Sequence, residues 1–342
     1  MTRMILALLL LVLWSSNLYA QADFYKGKTI RIVVGNPPGD LYELWARLIA
    51  SHMAKLIAGN PDIVVQNMPG AGGMIAANYI YNVAKPDGLT LGMFLPALYM
   101  DQLVGRKEVQ FDWGKFAWLG SPVKGEHQMY MRADTPYKTV EDIRKASVPP
   151  KCGTTGTGSP SYYVPKLMEE NLGAKFAIVS GYPGGVDIDL AAERGEIQCR
   201  AFTIEAFFAR EPFHTWRRTG FMRNIVQTGR TRDPRLADTP TIYELMDQYK
   251  TPEAGRRLAA VVLAGGALGR PMVGTPGISA DRIKILREAY AKAMRDPEFL
   301  DEIKKRKWEL DPTSGEELEA IAKESVAQPP EIVERMQKLL GK

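Results

Sequence analysis

Residues 31–47 of the chain read Arg31-Ile32-Val33-Val34-Gly35-Asn36-Pro37-Pro38-Gly39-Asp40-Leu41-Tyr42-Glu43-Leu44-Trp45-Ala46-Arg47. The apolar run predicts a buried strand, the Pro/Gly segment a loop, and the apolar spacing from Leu41 onward a helix. The first N–H groups of a helix lack internal partners and carry the positive end of its dipole, so this loop suits an anion such as a carboxylate. Asp40 and Glu43 are also spaced to cap the helix as a capping box. Both interpretations stay open.

The same order of strand, loop and helix recurs along the chain. Strands are predicted at 63–65, 89–94, 123–132, 177–179 and 197–202. A further strand ends at Cys152, and a glycine-rich loop then leads to a helix that starts at Pro160 and ends before Gly173. The apolar segment 259–264 is predicted to be a strand that returns to the first domain. This alternation predicts an α/β fold with mostly parallel, doubly wound sheets.

The amino end has the order of a secretory signal peptide over residues 1–22. Arg3 precedes an apolar run from Met4 to Trp14, and Ala20-Gln21-Ala22 follows as a cleavage pattern. We therefore expect an exported mature chain that starts at Gln21 or Asp23. At 342 residues the chain exceeds one average domain, which predicts two.

Charge and cysteine content exclude several classes of protein. The formal charge of +5 is spread along the chain, so no nucleic-acid-binding stripe is predicted. Two cysteines without a C-x-x-C pair, and three scattered histidines, predict neither a metal site nor a cofactor. In an oxidising compartment Cys152 and Cys199 are expected either to form a disulfide across neighbouring strands or to be buried free thiols.

Several motifs occur in one order along most of the chain. They are Pro37-Pro38-Gly39 with Glu43, Ala46-Arg47, Gln66-Asn67-Met68-Pro69-Gly70-Ala71-Gly72-Gly73, Pro86-Asp87-Gly88-Leu89-Thr90-Leu91, and segments within 152–162, 182–196, 234–241 and 274–297. This order resembles the extracytoplasmic solute receptors of tripartite tricarboxylate transporters, the Bug/TctC type. The family usually has a second glycine where this chain has Asp40, and a histidine where it has Tyr162.

The resemblance implies a two-lobed periplasmic-binding-protein fold of type II, with a doubly wound sheet in each lobe and the ligand cleft between them. We expect lobe 1 to comprise 23–123 and 258–342 and lobe 2 to comprise 124–257. It further implies a monomeric periplasmic receptor without catalytic residues, which captures a small carboxylate solute and delivers it to a membrane permease of two subunits.

The resemblance also implies a ligand site assembled from both lobes. Its expected residues are Pro38, Gly39, Asp40, Glu43, Gly72, Thr154, Gly156, Thr157, Ser159, Tyr162 and Gly184. Backbone N–H groups are expected to hold the carboxylate without an obvious arginine. If Asp40 caps the helix, it competes with an anionic ligand; if it points inward, it can pair with an ammonium group. The solute is therefore a dicarboxylate, an amino acid or an aromatic acid.

Two other functions remain open from the sequence. Ser121-Pro122-Val123-Lys124 fits the S-x-x-K pattern of penicillin-recognising enzymes, but its companion S-D-N and K-T-G motifs are missing, so a secreted hydrolase has weak support. A ligand-sensing protein on the same two-lobed fold is the other alternative.

Overall fold

A computed structural model describes residues 24–341. The predicted signal peptide and both predicted mature amino termini lie outside the described residues. Among the helices of residues 24–341, none combines the length and the apolar character that a membrane crossing needs.

The chain forms two mixed sheets. The first has the strand order β11-β4-β10-β3-β1-β2 and the second has the order β7-β6-β8-β5-β9. The strands are β1 (Thr29–Val34), β2 (Asp62–Asn67), β3 (Thr90–Met93), β4 (Ala117–Ser121), β5 (His127–Arg132), β6 (Lys151–Thr154), β7 (Ala177–Ser180), β8 (Cys199–Thr203), β9 (Met222–Gln227), β10 (Met272–Gly274) and β11 (Thr313–Ser314).

Each sheet has a parallel part with one antiparallel strand inserted in it, and the first sheet also has the antiparallel edge strand β11. Strand β1 pairs in parallel with β2 and β3, and β6 pairs in parallel with β7 and β8. Strand β5 is antiparallel to β8 and β9, and β10 is antiparallel to β3 and β4. These two inserted strands are also the first that the chain forms after each passage between sheets. The chain therefore passes between the sheets twice, from β4 to β5 and then from β9 back to β10.

Helices fill the connections between the strands. Within residues 24–341 the α-helices are α1 (Leu41–Met53), α2 (Met74–Asn82), α3 (Leu98–Leu103), α4 (Val140–Lys145), α5 (Pro160–Leu172), α6 (Gly185–Glu193), α7 (Ile204–Ala209), α8 (Phe213–Thr219), α9 (Ile242–Gln248), α10 (Glu253–Leu263), α11 (Gly265–Leu268), α12 (Ala280–Ala293), α13 (Pro297–Arg306), α14 (Gly315–Val326) and α15 (Pro330–Leu339).

Both faces of the central strands are buried, which is why these strands are almost wholly apolar. In β1, Ile32 belongs to the same apolar cluster as Trp45 of α1, whereas the next residue, Val33, belongs to a second cluster with Phe94. Successive side chains of a strand point to opposite faces, so each face of β1 is covered by a separate set of side chains. The continuous Ile32-Val33-Val34 run follows from this double burial.

Some predicted elements need correction. Residues 259–264 are not a strand: they belong mainly to α10, and the returning strand is β10. The short apolar run does not distinguish a strand from one helix face; the buried positions Gly255, Leu258, Ala259 and Val262 have the spacing of a helix.

Helix α2 contacts the sheet through small residues, not through all of its large apolar ones. The side chains of Ile75 and Val83 are 51% and 65% exposed, whereas the small residues Ala76 and Ala77 are fully buried. The small alanine side chains let the helix lie close to the sheet. Hydrophobicity alone does not predict which residues of the helix face the sheet.

Cys152 and Cys199 form a disulfide in the structure. They are register partners on the neighbouring parallel strands β6 and β8. The bond therefore links two strands at the centre of the second sheet, next to the glycine-rich loop that follows β6.

The carboxyl-terminal helix α15 packs against α5 and α10. Arg335 of α15 forms an ion pair of 2.8 Å with Glu170 of α5. The tail that follows the first sheet thus returns to a helix of the second sheet. The lobe boundaries drawn from the sequence stay a prediction.

Candidate functional site

A cavity of about 460 Å³ lies between the two sheets. Its walls include residues that follow the carboxyl ends of β1, β2 and β3 in the first sheet and of β6, β7 and β8 in the second. Ligands of α/β proteins bind at this end of parallel strands, because the loops there lead to helix amino termini. The volume is in the range of small-molecule sites.

The structure places the predicted site residues in two groups. Asp40, Gly72, Ser159 and Gly184 line the cavity. The other predicted residues lie outside its wall: Pro38, Gly39, Glu43, Thr154, Gly156, Thr157 and Tyr162.

Residues of the second group fix the loops around the cavity. Thr154 is buried, and its hydroxyl donates to the carbonyl of Gly156 at 3.1 Å. Thr157 hydrogen-bonds to the carboxyl group of Asp101, a residue of α3 on the opposite side of the cleft. Tyr162 is half-buried beside Gly341 near the carboxyl end of the chain, and its neighbour Tyr163 lines the cavity instead.

Asp40 caps α1 and also lines the cavity. Its Oδ1 accepts a hydrogen bond of 2.9 Å from the backbone N–H of Tyr42. Glu43 does not complete the predicted capping box, because its carboxylate accepts a long 3.4 Å bond from the N–H of Gly39 and pairs with Arg47. The helix amino terminus therefore already carries one carboxylate.

Three arginines line the cavity, contrary to the expectation that none is prominent there. They are Arg200 on β8, Arg210 after α7 and Arg270 before β10. They are far apart in the sequence, and only the fold brings them together. The one signal available was a charged residue, Arg200, within an otherwise uncharged predicted strand.

Arg200 is only 9% exposed, yet its guanidinium group is not fully used. Its Nη1 donates to Asp189 Oδ1 at 2.5 Å and to the carbonyl of Gly185 at 2.9 Å. Among the described residues, neither Nε nor Nη2 has a hydrogen-bond partner, and Nε is closed off from solvent. A Cβ atom on Gly185 would lie 2.3 Å from Nη2, so a larger residue there would displace the guanidinium group.

Arg270 is held by the most buried ion pair of the cleft wall. Its Nε donates to Glu205 Oε2 at 2.8 Å, while Trp45 Nε1 donates to Glu205 Oε1 at 2.8 Å. The guanidinium carbon also lies 4.6 Å from the centre of the Tyr42 ring. Since Trp45 is on α1 and Glu205 on α7, this network joins the helices of the two sheets.

Arg210 is more open than the other two arginines. Its side chain is 29% exposed, and its Nη2 lies 3.7 Å from Asp189 Oδ2. Burial lowers the pKa of Arg210, and the charge of Asp189 acts against that shift. The guanidinium group stays charged at neutral pH, because an arginine pKa lies far above that range.

His127 and Tyr163 form an uncharged part of the wall. Tyr163 Oη and His127 Nε2 are 3.3 Å apart, and His127 Nδ1 has no partner among the described residues. Burial, together with the charge of Arg270, lowers the pKa of His127 to about 3. The imidazole is therefore neutral at physiological pH.

The S-x-x-K residues do not form a nucleophile and base. Ser121 Oγ donates to the carbonyl of Val123 and accepts from the N–H of Arg270, so it is fully engaged in backbone contacts. Lys124 Nζ instead pairs with Asp311 at 3.2 Å. Ser121 thus has a structural role near the passage between sheets.

Comparison with known proteins agrees with this architecture. Residues 45–338 match the family model described as "Tripartite tricarboxylate transporter family receptor". The chain is similar to a Cupriavidus necator protein described as "UPF0065 protein in gbd 5'region", with 24% identity over 323 residues, which are 93% of this chain and 90% of that one.

Two solved structures from Rhodopseudomonas palustris have the same fold. MatC, solved with bound malate, has 20% sequence identity and a TM-score of 0.67, covering 92% of this chain and 99% of its own. A second protein, solved with adipate, has 19% identity and a TM-score of 0.69, covering 92% and 97%.

The family match covers every strand of the two sheets except β1, and the cavity-lining residues from Pro69 onward. The chain belongs to the receptors of the tripartite tricarboxylate transporter family, which are periplasmic solute-binding proteins.

Proposed function

We propose that this chain captures a small carboxylate solute in the cleft between its two sheets and delivers it to a two-subunit membrane permease. The observation that carries the proposal is the guanidinium group of Arg200 in the cavity wall, where Nη2 has no hydrogen-bond partner among residues 24–341. A carboxylate that accepts from this nitrogen suits such a charged and directed donor.

An unpaired buried donor costs free energy, so a ligand that accepts from Arg200 gains more than it would at an exposed arginine. The amino terminus of α6 offers further hydrogen-bond donors. Its N-cap residue is Gly184, which has no side chain to accept from the first N–H groups of the helix. Together these groups offer charge and directed donors at one end of the cavity. Malate and adipate, the ligands of the two similar structures, are carboxylates as well.

The two halves of the wall meet above the cavity. A Cβ atom on Gly184 would lie 3.7 Å from Pro37 of the first loop, and Glu205 bridges α1 and Arg270. This arrangement corresponds to a closed cleft. Rotation about the two passages between sheets would open it, as in hinge-closing binding proteins, and the closed monomer would then dock on the permease.

We further propose export through the signal peptide, with no catalytic turnover of the solute. Amino-terminal sequencing of periplasmic protein should give Gln21 or Asp23 as the first residue. Recovery of periplasmic protein that retains Met1 would contradict this part of the proposal.

A thermal-shift screen tests the central function. The mature protein is heated with carboxylates and, as controls, with the matching primary amides. A true ligand at 100 times its Kd should raise Tm by roughly 5 °C, whereas its amide should not. A panel of carboxylates that leaves Tm unchanged throughout would contradict the proposal.

A further inference from the structure

We infer that the solute is a zwitterion, an amino acid without further charge, whose carboxylate binds Arg200 and whose ammonium group binds Asp40. The inference rests on the proposed function and specifies its substrate class. It comes from the distribution of charges around the cavity.

The three arginines of the cleft and the three acids whose charges act on them have no net charge before a ligand enters. Arg200, Arg210 and Arg270 supply three positive charges to the wall. Asp40 in the wall, with Asp189 and Glu205 directly behind it, supplies three negative ones. A ligand of zero net charge preserves this balance, whereas a dicarboxylate would add two uncompensated negative charges.

The charges are not all used in the same way. Asp189 pairs with Arg200 and Arg210, and Glu205 pairs with Arg270. Asp40, in contrast, has no ion-pair partner within residues 24–341, and its side chain accepts the hydrogen bond from Tyr42 through Oδ1 alone. One carboxylate oxygen of Asp40 is thus left for a ligand.

Asp40 and the unpaired Nη2 of Arg200 belong to opposite sides of the cleft. Asp40 precedes α1 of the first sheet, and Arg200 is on β8 of the second. A molecule that carries one ammonium group and one carboxylate can satisfy both and so link the two sides. A dicarboxylate would instead place one of its anionic ends near Asp40, where like charges repel in a partly dry cleft.

The rest of the wall favours an uncharged side chain on the solute. Between the charged groups the cavity is lined by aromatic and aliphatic residues, among them Tyr163, Tyr182, Phe202, Leu95 and Ile188. His127 lies in the same wall and is neutral at physiological pH. These groups offer apolar contact and single hydrogen bonds to a third substituent.

The variant Asp40→Asn separates charge from capping. Asparagine caps a helix as well as aspartate does, so the variant keeps the bond to Tyr42 and removes only the charge. Asp296→Asn is the matched control: Asp296 caps α13 through a 3.1 Å bond to the N–H of Phe299 and does not line the cavity.

Calorimetry compares matched ligands on these proteins. The amino acids are L-leucine, L-phenylalanine, L-glutamine and γ-aminobutyrate, each beside its deaminated acid, with malate and adipate added. The best amino acid should bind the wild type and Asp296→Asn roughly tenfold or more tightly than its deaminated acid. On Asp40→Asn that preference should disappear, and malate or adipate should bind more tightly than on the wild type.

The outcomes separate this inference from the proposed function. Tighter binding of a deaminated acid or a dicarboxylate by the wild type would overturn the zwitterion and leave the carboxylate receptor standing. An amino-acid preference that survives in Asp40→Asn would also overturn it. Absence of binding by every carboxylate in the panel would contradict the proposed function and this inference together.

Discussion

His127 illustrates how burial sets the charge of a single side chain in this cleft. The ring is almost fully buried, contacts Tyr163, and feels the positive charge of Arg270. Burial and this positive charge both disfavour the charged imidazolium form, so the neutral imidazole is favoured. Its pKa is lowered from 6.5 to about 3. The site consequently keeps its charge balance across the physiological pH range.

This lowered pKa predicts a loss of stability in mild acid. Below pH 6.5 the unfolded chain binds a proton at His127, whereas the folded chain binds this proton only near pH 3. The free energy of unfolding should therefore fall as pH decreases from 6.5 towards 3, by up to about 1.4 kcal/mol per pH unit from this residue. Above pH 6.5 the residue should have no effect on the pH dependence.

Urea unfolding of the wild type and His127→Gln at several pH values checks this. The neutral glutamine cannot take up the proton, so the difference between the two stabilities should change with pH between 6.5 and 5 and be constant above 7. Parallel curves over the whole range would show that His127 is not held neutral by the fold.

At the same scale, the sequence revealed local roles and missed distant ones. Helix capping by Asp40 was one of the interpretations that the sequence left open, and it could be seen there because capping depends on residues within one turn. Arg200, Arg210 and Arg270 were missed as a group, because residues up to 70 positions apart meet only through the packing of β8, α7 and β10. The unpaired donors of Arg200 are visible only when its neighbours are known.

The disulfide belongs to the scale of the elements, since it links β6 to β8. It closes a loop with a sequence separation of 47 residues. Restricting the unfolded chain over such a loop stabilises the fold by about 4 kcal/mol in the chain-entropy model. Cys152→Ala with Cys199→Ala should lower the free energy of unfolding by an amount of this order.

Urea unfolding of the double variant and the oxidised wild type measures the difference. The wild type treated with a reductant under denaturing conditions is the control, and it should approach the variant. A double variant within about 0.5 kcal/mol of the wild type would contradict a stabilising role. Thiol counting on denatured, unreduced wild type should find no free thiol.

Most elements were predictable because their signals are local. The strand of residues 31–34, the helix from Pro160 to Leu172 and the helix after Asp296-Pro297 all carry apolar spacing with recognisable ends. The strand predicted at 259–264 was wrong, because so short a run of residues does not show the helical spacing of the apolar residues in α10. Strand β4, Ala117–Ser121, was not predicted from the sequence.

At the scale of the whole molecule, Glu205 links the two sheets. It accepts from Trp45 of α1, pairs with Arg270, and is 4% exposed. Replacement by glutamine keeps the shape but leaves the Arg270 charge buried without its counterion. We expect Glu205→Gln to lower the free energy of unfolding by about 3 kcal/mol.

Glu253→Gln is the matched control for that variant. Glu253 pairs with Arg257 at 3.3 Å, and both side chains are about 70% exposed. Loss of this pair should cost less than about 1 kcal/mol. Urea unfolding measures both variants, and equal effects of the two substitutions would contradict the importance of the network between the sheets.

The most direct test of the carboxylate receptor is calorimetric titration of the wild type and Arg200→Lys with the best carboxylate from the screen. Lysine keeps the charge beside Asp189 but lacks the planar guanidinium group. The control Arg132→Lys alters an arginine that pairs with Asp134 and does not line the cavity.

We expect one ligand per chain for the wild type and the control, with affinity reduced roughly tenfold or more in Arg200→Lys. Equal affinity in all three proteins, or no binding heat from any carboxylate with the wild type, would contradict it.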